Sequence, residues 1–208
     1  MEKTDMWPVI HAERKALAAD LEGLSADQWS NASLCDTWTV RDVTAHMTAT
    51  AKTTPPGFFA KLAGSGFSFQ RVQAKGIAAE KGSSPPDTLA RFKAVTTSVK
   101  HPPGPADTWL GETIVHAEDI RRPLRVRHDY PPGALVRVAD FYKDSNLLIG
   151  AKRRIDGLAL KATDADWSHG SGPAVSGPLL SLVLAMTGRR AAVDDLTGDG
   201  AAVLRDRP

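Results

Sequence analysis

Apolar residues recur at helical spacing through the first 150 positions of the chain, and that pattern predicts most of its elements. Ile10, Leu17, Leu21 and Leu24 mark a first stripe that begins after Asp5, with Pro8 tolerated in the opening turn. Val40, Val43 and Met47 mark a second, opened by Thr39-x-x-Asp42 and closed by Pro55-Pro56-Gly57. Leu89, Phe92, Val95 and Val99 mark a third, opened by Pro85-Pro86. A fourth helix is expected over 108–122 with Pro123 as its stop, and a fifth over 134–151 with Leu135, Val138, Tyr142 and Ile149. Residues 58–84 are weakly patterned and rich in Gly, Ser and Ala, which predicts a loose helix or a mobile loop. After Arg154 the period changes. Leu158, Leu160 and Ala162 alternate as a strand, residues 167–178 hold turn residues and room for a second short strand, and Pro178 opens a strongly apolar helix that Gly188 ends. The expected fold is mainly α: a four- or five-helix bundle over 1–154, then a small α/β appendage over 155–208.

Composition narrows the partners more than the fold. The 208 residues are 42% hydrophobic and 24% charged with a net charge of +2, enough for one sizeable core. Lys152-Arg153-Arg154, Arg121-Arg122 and Arg189-Arg190 are short clusters that read as helix-end residues complementing the macrodipole. No basic stripe of the kind nucleic acid requires is present, so no nucleic-acid partner is expected. No apolar run reaches membrane-spanning length, so no membrane partner is expected either. A single cysteine, Cys35, allows no internal disulfide and suits a reducing cytoplasm; it reads as a small residue packed near a helix start.

The chemistry lies in Glu112 and His116. Four residues apart on one helix, they share a face, and with Trp109 and Ile120 they fall within roughly a quarter turn of the expected buried stripe. A carboxylate in such a stripe requires a compensating positive group. One reading makes the pair an ordinary contact within a helix. The other adds His46, at the edge of the Val40–Val43–Met47 stripe, and makes the three residues the ligands of a divalent metal with positions left open. Asp119, one turn beyond His116, is a candidate to orient a ligand, with pairing to Arg122 or Arg125 as the alternative. Trp38 and Trp109 are candidate cavity walls or plain core aromatics. His11 and His169 read as hydrogen-bonded or solvated histidines.

Two motifs carry a resemblance. SLCDTWTVRDVTAHM (33–47) is similar to the N-terminal motif of the mycothiol-dependent maleylpyruvate isomerase family, within the DinB-like four-helix superfamily, and GETIVHAEDIRRPL (111–124) to its second motif. The segment 162–189 also resembles a C-terminal stretch of actinobacterial members. The resemblance implies a DinB-like bundle holding a divalent ion, most often zinc, on His46, Glu112 and His116. It further implies mycothiol, the small thiol of actinobacteria, as cosubstrate. Where the family usually has Pro-Gly before the motif tryptophan, this chain has Asp36-Thr37. A maleylpyruvate isomerase is expected to carry a longer C-terminal part than a chain ending at Pro208.

The function so implied is activation of the thiol of mycothiol for transfer to, or isomerisation of, a small electrophilic substrate. A homodimer is compatible with it. A metal-dependent hydrolase on the same site, and a DinB-like metal-binding protein without turnover, remain open beside it.

Overall fold

Helix α1 (Trp7–Glu22) begins where the Trp7 N–H donates to the Asp5 carboxylate at 3.1 Å and Pro8 occupies the first turn. It buries Ile10, Leu17 and Leu21, with Leu24 packed against the same core. A short α2 (Ala26–Ser30) sets Trp29 into that core. Helix α3 (Val40–Lys52) opens with a reciprocal cap: the Asp42 N–H donates to Thr39 Oγ1 at 3.2 Å and the Thr39 N–H to Asp42 Oδ2 at 3.1 Å. The computed structural model describes residues 5–35, 37–147 and 149–207; the Asp36 half of the Asp36-Thr37 departure lies outside them.

Of the two readings of residues 58–84 the structure gives helix, in two pieces with few buried residues. Pro55-Pro56-Gly57 both follows α3 and opens α4 (Pro55–Ala63), capped by Thr54, and α5 (Phe69–Lys81) follows, capped by Ser68. The small residues that weaken the pattern let α5 approach α3 closely. A Cβ on Gly76 would stand 3.1 Å from that of Ala49, so packing, not an apolar stripe, specifies this helix.

Helix α6 (Pro85–Lys93) is capped by Ser84 and buries Phe92. It ends before Val99, which is therefore exposed and not part of a stripe. Helix α7 (Ala106–Leu124) runs through Pro123. The proline forfeits one N–H in the last turn. Closure comes at Arg125, in the left-handed region at φ 57°, where the N–H groups of Arg125 and Val126 return to the carbonyls of Arg122 and Arg121. Helices α1, α6, α3 and α7 form a closed four-helix ring with α5 laid against α3. Its core is Leu17, Leu21, Val40, Val43, Met47, Phe92, Ala117 and Ile120.

The chain divides after His128, and not at 154/155. The second unit holds α8 (Pro132–Lys143), α9 (Ala151–Ile155), a three-stranded sheet, α10 (Leu179–Met186), a 3-10 turn (Arg190–Asp195) and α11 (Gly200–Asp206). Helices α8 and α9 both pack on α10, which places them with the appendage. In the sheet, β1 (Ala159–Ala162) is central, antiparallel to β2 (Ser168–His169) and parallel to β3 (Ala174–Gly177), with Leu160 opposite His169 and Val175. Leu158, Leu160 and Ala162 point inward as the alternation requires.

The α3 cap is also an electrostatic device. Burial pushes the Asp42 carboxyl up, but the Lys81 ammonium at 2.7 Å and the Thr39 hydroxyl and N–H outweigh it and hold it below its ordinary 3.8. A depressed carboxyl stabilises fully above its unfolded value and loses that contribution as pH falls through the folded one. Thr39→Ala is therefore expected to lower the unfolding free energy by about 1 kcal/mol in denaturant titrations. Asp42→Asn should flatten the acid limb of stability against pH below about 4; an unchanged limb would remove this carboxylate from the account.

Candidate metal centre

The site is built where α3 faces α7. His46 projects from the second turn of α3, and Glu112 and His116 from the middle of α7. The ligand atoms these three residues offer lie within 4.8 Å of one another, and the His46 and His116 rings meet edge-on with centroids 4.9 Å apart. Trp38 lies against both imidazoles, 4.9 Å from His46 and 6.4 Å from His116. Trp109 instead lies tilted against the His101 ring, with centroids 5.5 Å apart.

Glu112 is the anomaly of the cluster. Both carboxylate oxygens are buried and neither accepts a hydrogen bond. Burial pushes its carboxyl up, while His116 and the Arg14 guanidinium favour the charged form; the Thr50 and Thr113 hydroxyls also lower it without reaching hydrogen-bond geometry. An orphaned carboxylate costs of order 1–3 kcal/mol or more, and both of its oxygens are shielded from solvent. A small cation needs less space than water, and two imidazoles with one carboxylate suit a divalent ion with bonds of about 2.1 Å. The residues present fit such an ion.

His116 is held from behind. Its Nδ1 lies 2.8 Å from Asp119 Oδ2, so Nδ1–H donates to the carboxylate and Nε2 is the nitrogen left to face His46 and Glu112. Asp119 is fully buried and also accepts from Cys35 Sγ at 2.9 Å. Of the two readings of Asp119, the structure supplies the contact with His116; Arg122 is met by Glu118 at 3.2 Å. The segment before α3 is fixed to the same place, since the Leu34 N–H donates to the Asp119 carbonyl at 3.1 Å and the Ser33 hydroxyl to the Trp38 carbonyl at 2.7 Å. Burial pulls His116 down, but hydrogen bonds to Asp119 and Cys35 outweigh it and raise the imidazole from 6.5 to about 10 in the metal-free protein.

Two participants escape the sequence reading. Cys35 packs against the core ahead of α3, as its sequence position suggests, and its thiol in addition joins the Asp119–His116 pair. Arg14 is buried on α1 beside Glu112 and donates from Nη1 to the Ser98 carbonyl at 3.1 Å. Its signal was available: Arg14 falls four residues after Ile10, inside an apolar stripe, as Glu112 does in its own helix. His11 bonds to the same Ser98 carbonyl at 3.3 Å, and His169 lies in β2, not in a loop; neither enters the centre.

Residues 10–101 match the family model described as the mycothiol maleylpyruvate isomerase N-terminal domain. The sequence match to that family is thus confined to residues 10–101, within the N-terminal unit. The family match takes in Cys35, Trp38 and His46 and stops short of Glu112 and His116, so the α7 half of the centre rests on its own geometry. Among solved structures, a mycothiol-dependent maleylpyruvate isomerase aligns with a TM-score of 0.64 at 16% identity, over 94% of this chain and 92% of that one. A histidine-to-alanine variant of that isomerase aligns with a TM-score of 0.61 at 15% identity over the same shares. At such identity the likeness shows the fold, a DinB-like bundle with a small α/β appendage. It also corrects the expectation of a longer C-terminal part, since nearly the whole of that chain is matched. No curated relative matches the chain in sequence. Among the described residues no helix is long and apolar enough to cross a membrane.

A raised imidazole stabilises fully below its unfolded value and loses that contribution as pH rises through the folded one. Metal-stripped protein is thus expected to lose stability between pH 6.5 and about 10, with Asp119→Asn suppressing the loss. NMR titration of the His116 ring checks this, and a transition in the ordinary histidine range would contradict the assigned hydrogen bonds.

Proposed function

We propose that His46, Glu112 and His116 hold a divalent ion, zinc by preference, and that the protein uses the centre to activate the thiol of mycothiol toward a small electrophilic substrate, by transfer or by isomerisation. The observation that carries the reading is the Glu112 carboxylate, buried without a hydrogen-bond donor between two imidazoles. The family likeness of residues 10–101 and the fold shared with a mycothiol-dependent maleylpyruvate isomerase support the choice of thiol.

A bound divalent ion supplies Lewis acidity, which favours the thiolate form of a coordinated thiol. The chain's own residues do the rest. Asp119 keeps His116 in the tautomer that presents Nε2 and fixes the ring plane. Arg14 offsets the buried Glu112 charge from α1. Trp38 covers one side of both imidazoles and keeps water from that flank. Three protein ligands leave a position for sulfur. The thiolate would add across an activated carbon–carbon double bond to give a stabilised carbanion, which either takes a proton and remains as the addition product or, after rotation about the new single bond, expels the thiolate to give the isomer. Maleylpyruvate belongs among the substrates to be tried, because nearly the whole of that isomerase chain is matched here. Metal-hydroxide hydrolysis and metal binding without turnover use the same ligand set and are distinguished by experiment.

Glu112→Ala is expected to reduce metal content, measured by elemental analysis, from about one per chain to a small fraction, and Asp119→Ala to weaken metal affinity by about 10–100-fold. Full retention of metal in Glu112→Ala would contradict the ligand assignment. Mycothiol added to the cobalt-substituted protein should give a sulfur-to-metal charge-transfer band; one metal per chain with no band and no binding heat would remove the thiol from the reading.

A further inference from the structure

The chain from Val43 to Ala79 contains no acidic residue, yet carries Lys52, Lys61, Arg71, Lys75 and four phenylalanines. Folding gathers these onto α4, the following turn and the start of α5. Helix α4, PPGFFAKLA, buries none of its residues although it is predominantly apolar. Phe59 is 59% exposed, Phe67 79% and Phe69 39%, and the Phe58 ring joins Phe59 at 5.7 Å and Phe69 at 6.4 Å into one ridge. At the tip, Phe67 is held outward at φ 57°, a left-handed conformation that bulky residues seldom adopt. Contiguous exposed aromatics of this kind mark an interaction surface.

Beside the ridge, α3, α4 and α5 border an open cleft of about 290 Å³ whose charged lining is Lys52, Lys61, Lys75 and a single carboxylate, Glu80, with the small residues Ala49, Gly64 and Gly76 between them. Glu80 matches Lys52 at 2.6 Å. Lys61 donates to the Thr53 hydroxyl at 2.9 Å and Lys75 to the Gly64 carbonyl at 3.0 Å, which leaves two ammonium charges bonded only to neutral oxygens. The small residues and the surplus of lysines suit a phosphate group, and the adjacent aromatics suit acyl chains.

We propose that this face docks the protein on an anionic phospholipid surface, with a phosphate headgroup in the lysine cleft and Phe59 and Phe67 in the acyl boundary. Basic residues beside exposed Phe are the combination that binds an anionic bilayer interface. A second copy of the chain is the poorer occupant, because a two-fold contact would set Lys61, Arg71 and Lys75 against their own kind. Docking of this kind needs no spanning helix. It revises the sequence expectation of no membrane partner, which rested on apolar length alone, and it is independent of the metal centre.

The full chain is sedimented with vesicles of phosphatidylcholine, and with vesicles in which about a third of the lipid is phosphatidylglycerol. Co-sedimentation is expected with the anionic vesicles only, and should be lost on raising salt from about 0.1 M to 1 M. Phe59→Ser with Phe67→Ser, and separately Lys61→Glu with Lys75→Glu, should each lower the partition coefficient about tenfold or more while leaving the thermal transition and the metal content in place. Equal or absent sedimentation with the two vesicle types, or indifference to either pair of substitutions, overturns the proposal. So does a concentration-dependent dimer in analytical ultracentrifugation that the phenylalanine substitutions dissolve. Saturation of the cleft by inorganic phosphate with vesicle binding absent would likewise assign it to a soluble phosphate.

Discussion

The N-terminal unit is organised around one unfavourable act, the burial of the Glu112 carboxylate on the inward face of α7. A charge removed from water without a donor destabilises by more than an ordinary core contact returns, and the surrounding residues are arranged about it. Arg14 reaches in from α1, His46 from α3 and His116 from the next turn of α7. His46, His116 and the adjoining Cys35 are each positioned by an independent feature. The Thr39–Asp42 cap fixes where α3 starts and hence where His46 falls; Asp119 fixes the His116 ring; the Leu34 N–H fixes the loop that carries Cys35. A helix contact alone would not require so many restraints.

The bundle tolerates this polarity because its ionic groups are distributed in local pairs. Arg121, fully buried, meets Asp20 at 2.7 Å, and Glu13 meets His128 at 2.7 Å. Such pairs return little net stability once desolvation is counted. Stability resides in the separate apolar layer of Leu17, Leu21, Val43, Met47, Phe92 and Ile120, while the polar layer holds geometry. The polar cluster is accordingly where local rules are broken and the apolar core where they are kept, the division expected when a site is carried at a cost in stability.

Legibility in the sequence followed the kind of physics involved. Helices with a stripe and a cap, α1, α3 and α6, could be read because burial and capping are periodic and local. Helices α4 and α5 could not, because α5 is specified by the close approach of Gly76 to Ala49, a contact between residues far apart in sequence, and α4 has no buried face to leave a stripe. Pro123 misled for a related reason: a proline near a helix end forfeits little, and the true stop is the left-handed Arg125. Within the centre, the i,i+4 spacing placed Glu112 and His116 together and an inward face placed His46. Cys35 stayed hidden because its relation to Asp119 spans 84 positions and leaves no local mark. Arg14 did leave one, a cation inside an apolar stripe, the same irregularity that singled out Glu112.

That symmetry between Arg14 and Glu112 bears on the chemistry. A cation close to a metal site disfavours the metal by repulsion, so a site built only for tight metal binding would gain from an apolar residue in place of Arg14. Its retention in the core, with an Nε that no acceptor meets, is easier to understand if the centre must tolerate more negative charge than its ligands contribute. A thiolate arriving on the open position brings such a charge. In the proposed reaction the buried arginine would offset that anion, at the expense of some affinity for the metal. On electrostatic grounds this favours a centre that works on an anionic nucleophile over one that merely stores an ion.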